Sequence, residues 1–241
     1  MTTSSDQSFE EVIADEHFPE VDLALRRGRH VGRDDGTAYD YLASALDHLE
    51  PFYRRFGCEL VQRTDGYFYL LPSGDRLGRR QLSVGEMLVG QTLALMYLDP
   101  ATLQHGGAVQ REALLQRLSG LLGTETLVRT LNPRRKKFDE RIAAEGVRSK
   151  IAEALRRLSD LGFVDVVDDG MLRLRAALMR FAEPVRGSSD QHAALERLVQ
   201  SGEIVLGSAD GDSHANSDEE DEEDENDGES ESHAGDEESG G

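Results

Sequence analysis

One cysteine, no tryptophan and six prolines in 241 residues leave this chain with few covalent or conformational staples. With Cys58 alone, an intramolecular disulfide and a cysteine-cluster zinc site are both excluded, which fits a reducing compartment and makes Cys58 a small apolar residue. No apolar run approaches the roughly 18 residues that cross a bilayer, and the polar stretch Met1–Gln7 has no signal-peptide pattern. The expectation is a soluble cytoplasmic protein without membrane contact. Also missing are a Gly-rich phosphate loop ending in Lys-Ser or Lys-Thr, a Gly-x-Ser-x-Gly elbow and a cysteine near a histidine, and no two of the seven histidines stand at the spacing of a helical metal pair. These gaps argue against an enzyme and lead us to expect no cofactor and no metal.

Charge is present but uneven. Residues 207–241 hold 16 of the 47 acidic side chains, no Lys or Arg, and nothing apolar larger than Ala. Such a stretch cannot bury enough surface to offset its ordering entropy, so it is expected to be a disordered acidic tail. The remaining 31 acidic residues nearly balance the 27 basic ones, and the formal charge of −20 is a property of the tail. Within the rest, Arg129–Arg186 carries 14 basic against 9 acidic residues, a local excess able to attract phosphate because charges beyond roughly 10 Å are screened.

The apolar spacing of Phe18, Val21 and Leu25 predicts a first helix ended at Gly28, after a flexible N-terminus over 1–15. Tyr41, Leu42, Ala45, Leu46 and Leu49 predict a second helix with a break at Pro51. Glu59–Gln62 and Tyr67–Leu71 then flank Asp65-Gly66 as a hairpin. The pattern recurs. Ser83 and Glu86 form a capping box for a helix with Val84, Met87, Leu88, Gln91, Leu95 and Leu98 on one side, and Val109–Leu121 reads as another helix closed by Gly123. A long helix ends at Leu161 with Val147, Ile151, Ala154, Leu155 and Leu158 in one stripe, and Phe163–Val167 and Met171–Arg175 make a second hairpin around Asp168-Asp169-Gly170. Ala176–Phe181 and Ala193–Gln200 read as closing helices, with Ile204-Val205-Leu206 as the last apolar anchor.

Helices followed by a hairpin, twice over, predict an α+β, predominantly helical fold of tandem winged-helix domains, 16–75 and 82–206, followed by the acidic tail over 207–241. The domain boundary is expected in Pro72–Gln81. In such a domain the helix before the hairpin usually faces DNA. Its expected contacts here are Arg148, Lys150, Arg156 and Arg157 on the helix, Arg173 and Arg175 on the hairpin, and Arg134, Arg135, Lys136 and Lys137 in the preceding loop. Glu153 and Asp160 on the same helix disfavour base readout, so contact with the backbone of double-stranded DNA is expected, and pairing of Arg156 and Arg157 with those acids is the competing reading. Phe52, Tyr53, Tyr67 and Tyr69 exceed what one small hairpin needs and are candidates for a partner surface.

The chain resembles the MukE family through His17-Phe18-Pro19, Gly28-Arg29-His30-Val31-Gly32, Phe52-Tyr53, Gly66-Tyr67-Phe68-Tyr69-Leu70, Met87-Leu88-Val89-Gly90 and Tyr97-Leu98-Asp99-Pro100, in that order. Leu155-Arg156-Arg157-Leu158 followed by Leu161-Gly162-Phe163-Val164, then Phe181 and Val185-Arg186, extend the similarity, which spans roughly Phe18 to Leu206. Asn132–Gly146 and the tail depart from the pattern. The resemblance implies a homodimeric, non-enzymatic subunit that binds a MukF-like kleisin and through it a MukB-like SMC ATPase, associated with the nucleoid in chromosome condensation and segregation. A plasmid-directed Mks or Wadjet role and a dimeric winged-helix transcription regulator remain as alternatives.

Overall fold

The computed structural model describes residues 8–73, 81–131, 140–168 and 170–201. It is mostly helical, with two small antiparallel sheets. Within the stretch expected to be flexible, the described residues form α1 (Phe9–Ala14), fixed by a Ser8–Glu11 capping box and by the buried Val12, whose carbonyl accepts the Tyr41 hydroxyl at 2.9 Å. Helix α2 (Phe18–Arg26) and the two-residue strand β1 (Val31–Gly32) follow. Helix α3 (Thr37–Arg54) does not break at Pro51: the proline lies on the solvent face, where water can replace the backbone bond its ring removes.

Strands β2 (Cys58–Arg63) and β3 (Tyr67–Pro72) pair from Cys58↔Pro72 to Arg63↔Tyr67, with Gly66 at φ 90° in the turn. Strand β1 joins the far side of β3, giving the order β1-β3-β2. Phe68 and Leu70 on one face of β3 pack with Val21, Leu25, Leu42, Leu49 and Leu60 into a first core. Tyr67 and Tyr69 on its other face enter a second core instead. A strand buried on both faces reads as a continuous apolar run, and Tyr67-Phe68-Tyr69-Leu70 is one.

Helix α4 (Val84–Tyr97) begins as expected, with the Glu86 N–H donating to the Ser83 hydroxyl at 3.3 Å and the Ser83 N–H donating to the Glu86 carboxylate at 2.7 Å. Its burial is not one-sided: every residue from Leu88 to Leu95 is buried, while Val84 is half exposed. A helix apolar all round is a central helix, and α4 packs against several later elements. Gly90 meets the Phe181 ring, so that a methyl group there would overlap the ring.

After α5 (Pro100–Gln104), Val109 lies not in a helix but in strand β4 (Ala108–Gln110), paired with Leu172; helix α6 (Arg111–Leu122) starts behind it and ends at Gly123, φ 74°. Helix α7 (Thr124–Leu131), an element the sequence pattern does not single out, buries Leu127, Val128 and Leu131. Helix α8 (Glu140–Asp160) and strands β5 (Val164–Val166) and β6 (Met171–Leu174) complete a sheet ordered β4-β6-β5, the same topology as the first. A 3₁₀ helix over Ala176–Val185 and α9 (Gln191–Ser201) close the second core. Most of the expected boundary at Pro72–Gln81, together with Ile204-Val205-Leu206 and the tail, lies outside the described residues.

Candidate functional site

Helix α8 buries Val147, Ile151, Ala154, Leu155 and Leu158, with Leu161 just beyond its end, as their spacing predicts. The opposite side therefore carries its charges into solvent. Arg148 lies 3.8 Å from Glu112, and Lys150 donates to Glu153 at 2.9 Å; the Lys150 bond holds the Glu153 carboxyl below its usual range. Both pairs are exposed, and such pairs are readily exchanged for another anion. Arg156 is exposed, Arg157 is half-buried, and neither forms a salt bridge with another described residue. Of the competing expectation that they pair with Glu153 and Asp160, only a longer-range attraction between Arg156 and the Glu153 carboxylate is present among the described residues. On β6, Leu172 and Leu174 point into the core and Arg173 points out, opposite Asp165 and Ala108. Arg134, Arg135, Lys136 and Lys137 lie outside the described residues.

Arg175 departs from this group. Its side chain is 3% exposed and lies 2.5 Å from Asp35, 3.7 Å from Asp165 and 3.8 Å from Asp34, so it cannot meet a duplex. Asp35 also accepts the Gly32 N–H at 2.8 Å and pairs with Arg29 at 3.3 Å. Asp34 and Asp35, which look like turn formers in the sequence, thus surround a buried guanidinium supplied by the second hairpin. Strand alternation alone places Arg175 beside exposed Arg173; residues 33–35 cover that end of the sheet, a tertiary fact with no local signal.

The neighbouring backbone is joined equally closely. The His30 N–H donates to the Leu161 carbonyl at 2.8 Å, Nδ1 lies 3.1 Å from the same oxygen, and the Arg29 guanidinium reaches the Ser159 and Asp160 carbonyls. The C-terminal end of α8 is therefore capped by residues 29 and 30. The buried His30 ring packs 4.4 Å from Phe163, and burial, with Arg180 nearby, pushes its pKa down to about 3 while the Leu161 carbonyl opposes the shift. A folded value below the unfolded 6.5 means that stability is complete above pH 6.5 and is lost as pH falls toward 3. Denaturant titrations should show this loss between pH 6.5 and 5, at up to about 1.4 kcal/mol per pH unit for one proton. The slope should flatten in His30→Gln; equal slopes would remove His30 as its source.

The aromatic candidates are also redistributed. Tyr53, Tyr67 and Tyr69 are buried within the chain, so a partner cannot reach them; Tyr67 is pushed up to about 12, chiefly by burial, and the Arg180 guanidinium covers the Tyr69 ring at 3.9 Å. Phe52 is half-buried, and its ring contacts Phe9 at 5.7 Å and Phe56 at 5.1 Å, both partly exposed. Periodicity places Tyr67 and Tyr69 on one face of a strand, but not the second core against that face.

Between α2 and the end of α8 runs a groove of about 680 Å³, with Arg27, Arg29 and Arg157 among its lining residues. Among the described residues there is no cluster of three metal-ligating side chains, and no helix is long and apolar enough to cross a membrane. Cys58 is buried, and burial pushes its thiol up, away from the reactive thiolate.

The MukE-like family model matches residues 6–232. The chain is 35% identical over 202 residues to the chromosome partition protein MukE of Vibrio cholerae, covering 83% of this chain and 87% of that protein. It is similar to its counterparts in Escherichia coli O157:H7, at 33% identity over 81% of this chain and 87% of that one, and in Histophilus somni, at 36% over 80% and 79%.

Proposed function

The chain belongs to the MukE-like family, and from that premise we propose that it is a non-enzymatic subunit of a bacterial SMC–kleisin complex of the MukBEF type, acting in chromosome condensation and segregation. The observation that carries this reading is kinship along almost the whole chain with proteins named for chromosome partition. In it the chain binds a MukF-like kleisin as a homodimer, reaches a MukB-like ATPase through that kleisin, and works in the cytoplasm on the nucleoid.

The repeated topology supports tandem winged helices over 16–75 and 82–206, each sheet with its preceding helices forming one domain. DNA contact falls to Arg148, Lys150 and Arg156 on α8 and to Arg173 on the second hairpin, with Arg157 at the edge; Arg175 supports the fold beneath them. Such a face suits phosphate rather than bases, because Glu153 lies among the cations. Partly exposed Phe52, Phe56 and Phe9 take the partner role expected of the buried tyrosines. Affinity purification of the tagged chain from its own cells at moderate salt tests the assembly: a kleisin and a large SMC-type ATPase should co-purify, and folded chain recovered with neither refutes it.

A further inference from the structure

We propose that Asp35 is a positioning residue for DNA contact: it holds the C-terminal end of α8 and the second hairpin at one fixed spacing, so that Arg156, Arg157 and Arg173 meet the same duplex. This rests on the DNA reading above and gives the first half of the chain a part in it. The Asp35 side chain, 17% exposed, is itself fixed by the Gly32 N–H, which donates to it at 2.8 Å. From there it branches. One arm is Arg175, 2.5 Å away, which directly follows β6 and donates its N–H to the Phe163 carbonyl at 3.1 Å. The other arm is Arg29, 3.3 Å away, whose guanidinium donates to the Ser159 and Asp160 carbonyls at 3.4 and 3.5 Å, at the end of α8.

Both arms end beside the basic residues of the candidate face. Arg156 and Arg157 lie within a turn of the Ser159 and Asp160 carbonyls. Residues two apart on a strand point the same way, so Arg173 shares the outer face with Arg175. Asp165 stands opposite Arg173 in the sheet, yet its carboxylate lies 3.7 Å from Arg175, and Arg173 forms no salt bridge with another described residue. The buried guanidinium thereby leaves Arg173 to an outside anion. Phosphates on a duplex stand at set intervals, so cations on two elements add their contacts only while those elements keep their spacing. Charge alone predicts the opposite of this role. Asp35 is an anion near a phosphate-binding face, and its removal would tighten binding through space; positioning requires that binding weaken.

The test is the affinity of the full chain for a short duplex by fluorescence anisotropy, at a temperature where circular dichroism shows each variant folded. Asp35→Asn should weaken binding about threefold or more and lower the log–log salt slope by roughly one phosphate contact. In that background Arg173→Gln should cost nothing further, a non-additivity that a general loss of stability would not produce. Asp34→Asn removes the same charge from the neighbouring position, 52% exposed, and should leave affinity equal to wild type or higher. Where Asp35→Asn does not fold, Asp35→Ser, whose hydroxyl can still accept the Gly32 N–H, should weaken binding likewise. Wild-type or tighter binding by folded Asp35→Asn or Asp35→Ser, full additivity with Arg173→Gln, or an equal loss in Asp34→Asn overturns the positioning role and leaves the DNA reading standing. No duplex binding by the wild-type chain overturns both.

Discussion

Gly162→Ala should destabilise the chain by about 3 kcal/mol or more, lowering Tm by roughly 10 °C. Two independent effects combine. Gly162 has φ +78°, a conformation that costs an L-residue about 1–2 kcal/mol, and a Cβ there would overlap the His30 carbonyl oxygen. That oxygen belongs to backbone held by the bond from the His30 N–H to Leu161, so the neighbour cannot swing aside as a surface side chain would. Gly120→Ala is the control: nothing lies within 4 Å of it inside α6, and the gain in helix propensity should stabilise by about 0.5–1 kcal/mol. Thermal melts of both variants decide the matter, and a Gly162→Ala protein as stable as wild type would mean that residues 30 and 162 are not in close contact.

Arg175→Met should cost about 3–5 kcal/mol, the usual penalty for removing one partner from a buried ionic group. The methionine fills much of the volume, so the loss is electrostatic: Asp34, Asp35 and Asp165 converge on a site without its cation. The double variant Arg175→Met with Asp35→Asn should recover part of that loss by removing the least exposed of the three carboxylates. Equilibrium denaturation of the single and double variants measures the coupling directly. A single variant within 1 kcal/mol of wild type would show that the cluster does not hold the second hairpin against residues 33–35.

Both substitutions act at the contact between the chain's two halves, which is where the sequence was least informative. The capping box at Ser83, the stripe on α8 and both hairpins are written in local pattern, because each depends on residues within a few positions of one another. The partners of β1 and β4 are not. A two-residue and a three-residue strand have no period to detect, and each exists only because a later strand pairs with it. The same reason hides the role of Arg175, which follows two inward leucines and one outward arginine and is then covered by residues 140 positions earlier in the chain. Tyr67 and Tyr69 were legible as aromatic, and as one face of a strand; that their face belongs to the second core depends on long-range packing. Of the candidate DNA face, the exposed helix positions were readable from a 100° step per residue, while the pairing of Arg148 with Glu112 on α6 was not.

The most direct measurement is a salt titration of the full chain with short duplexes of unrelated sequence, followed by fluorescence anisotropy between about 50 and 200 mM salt. Weak binding that falls steeply with salt and ignores sequence is predicted, with Arg156→Gln and Arg173→Gln each lowering the log–log slope by roughly one phosphate contact. Binding that is absent, insensitive to salt, or confined to one palindromic sequence would contradict a backbone-contacting face on α8 and its hairpin.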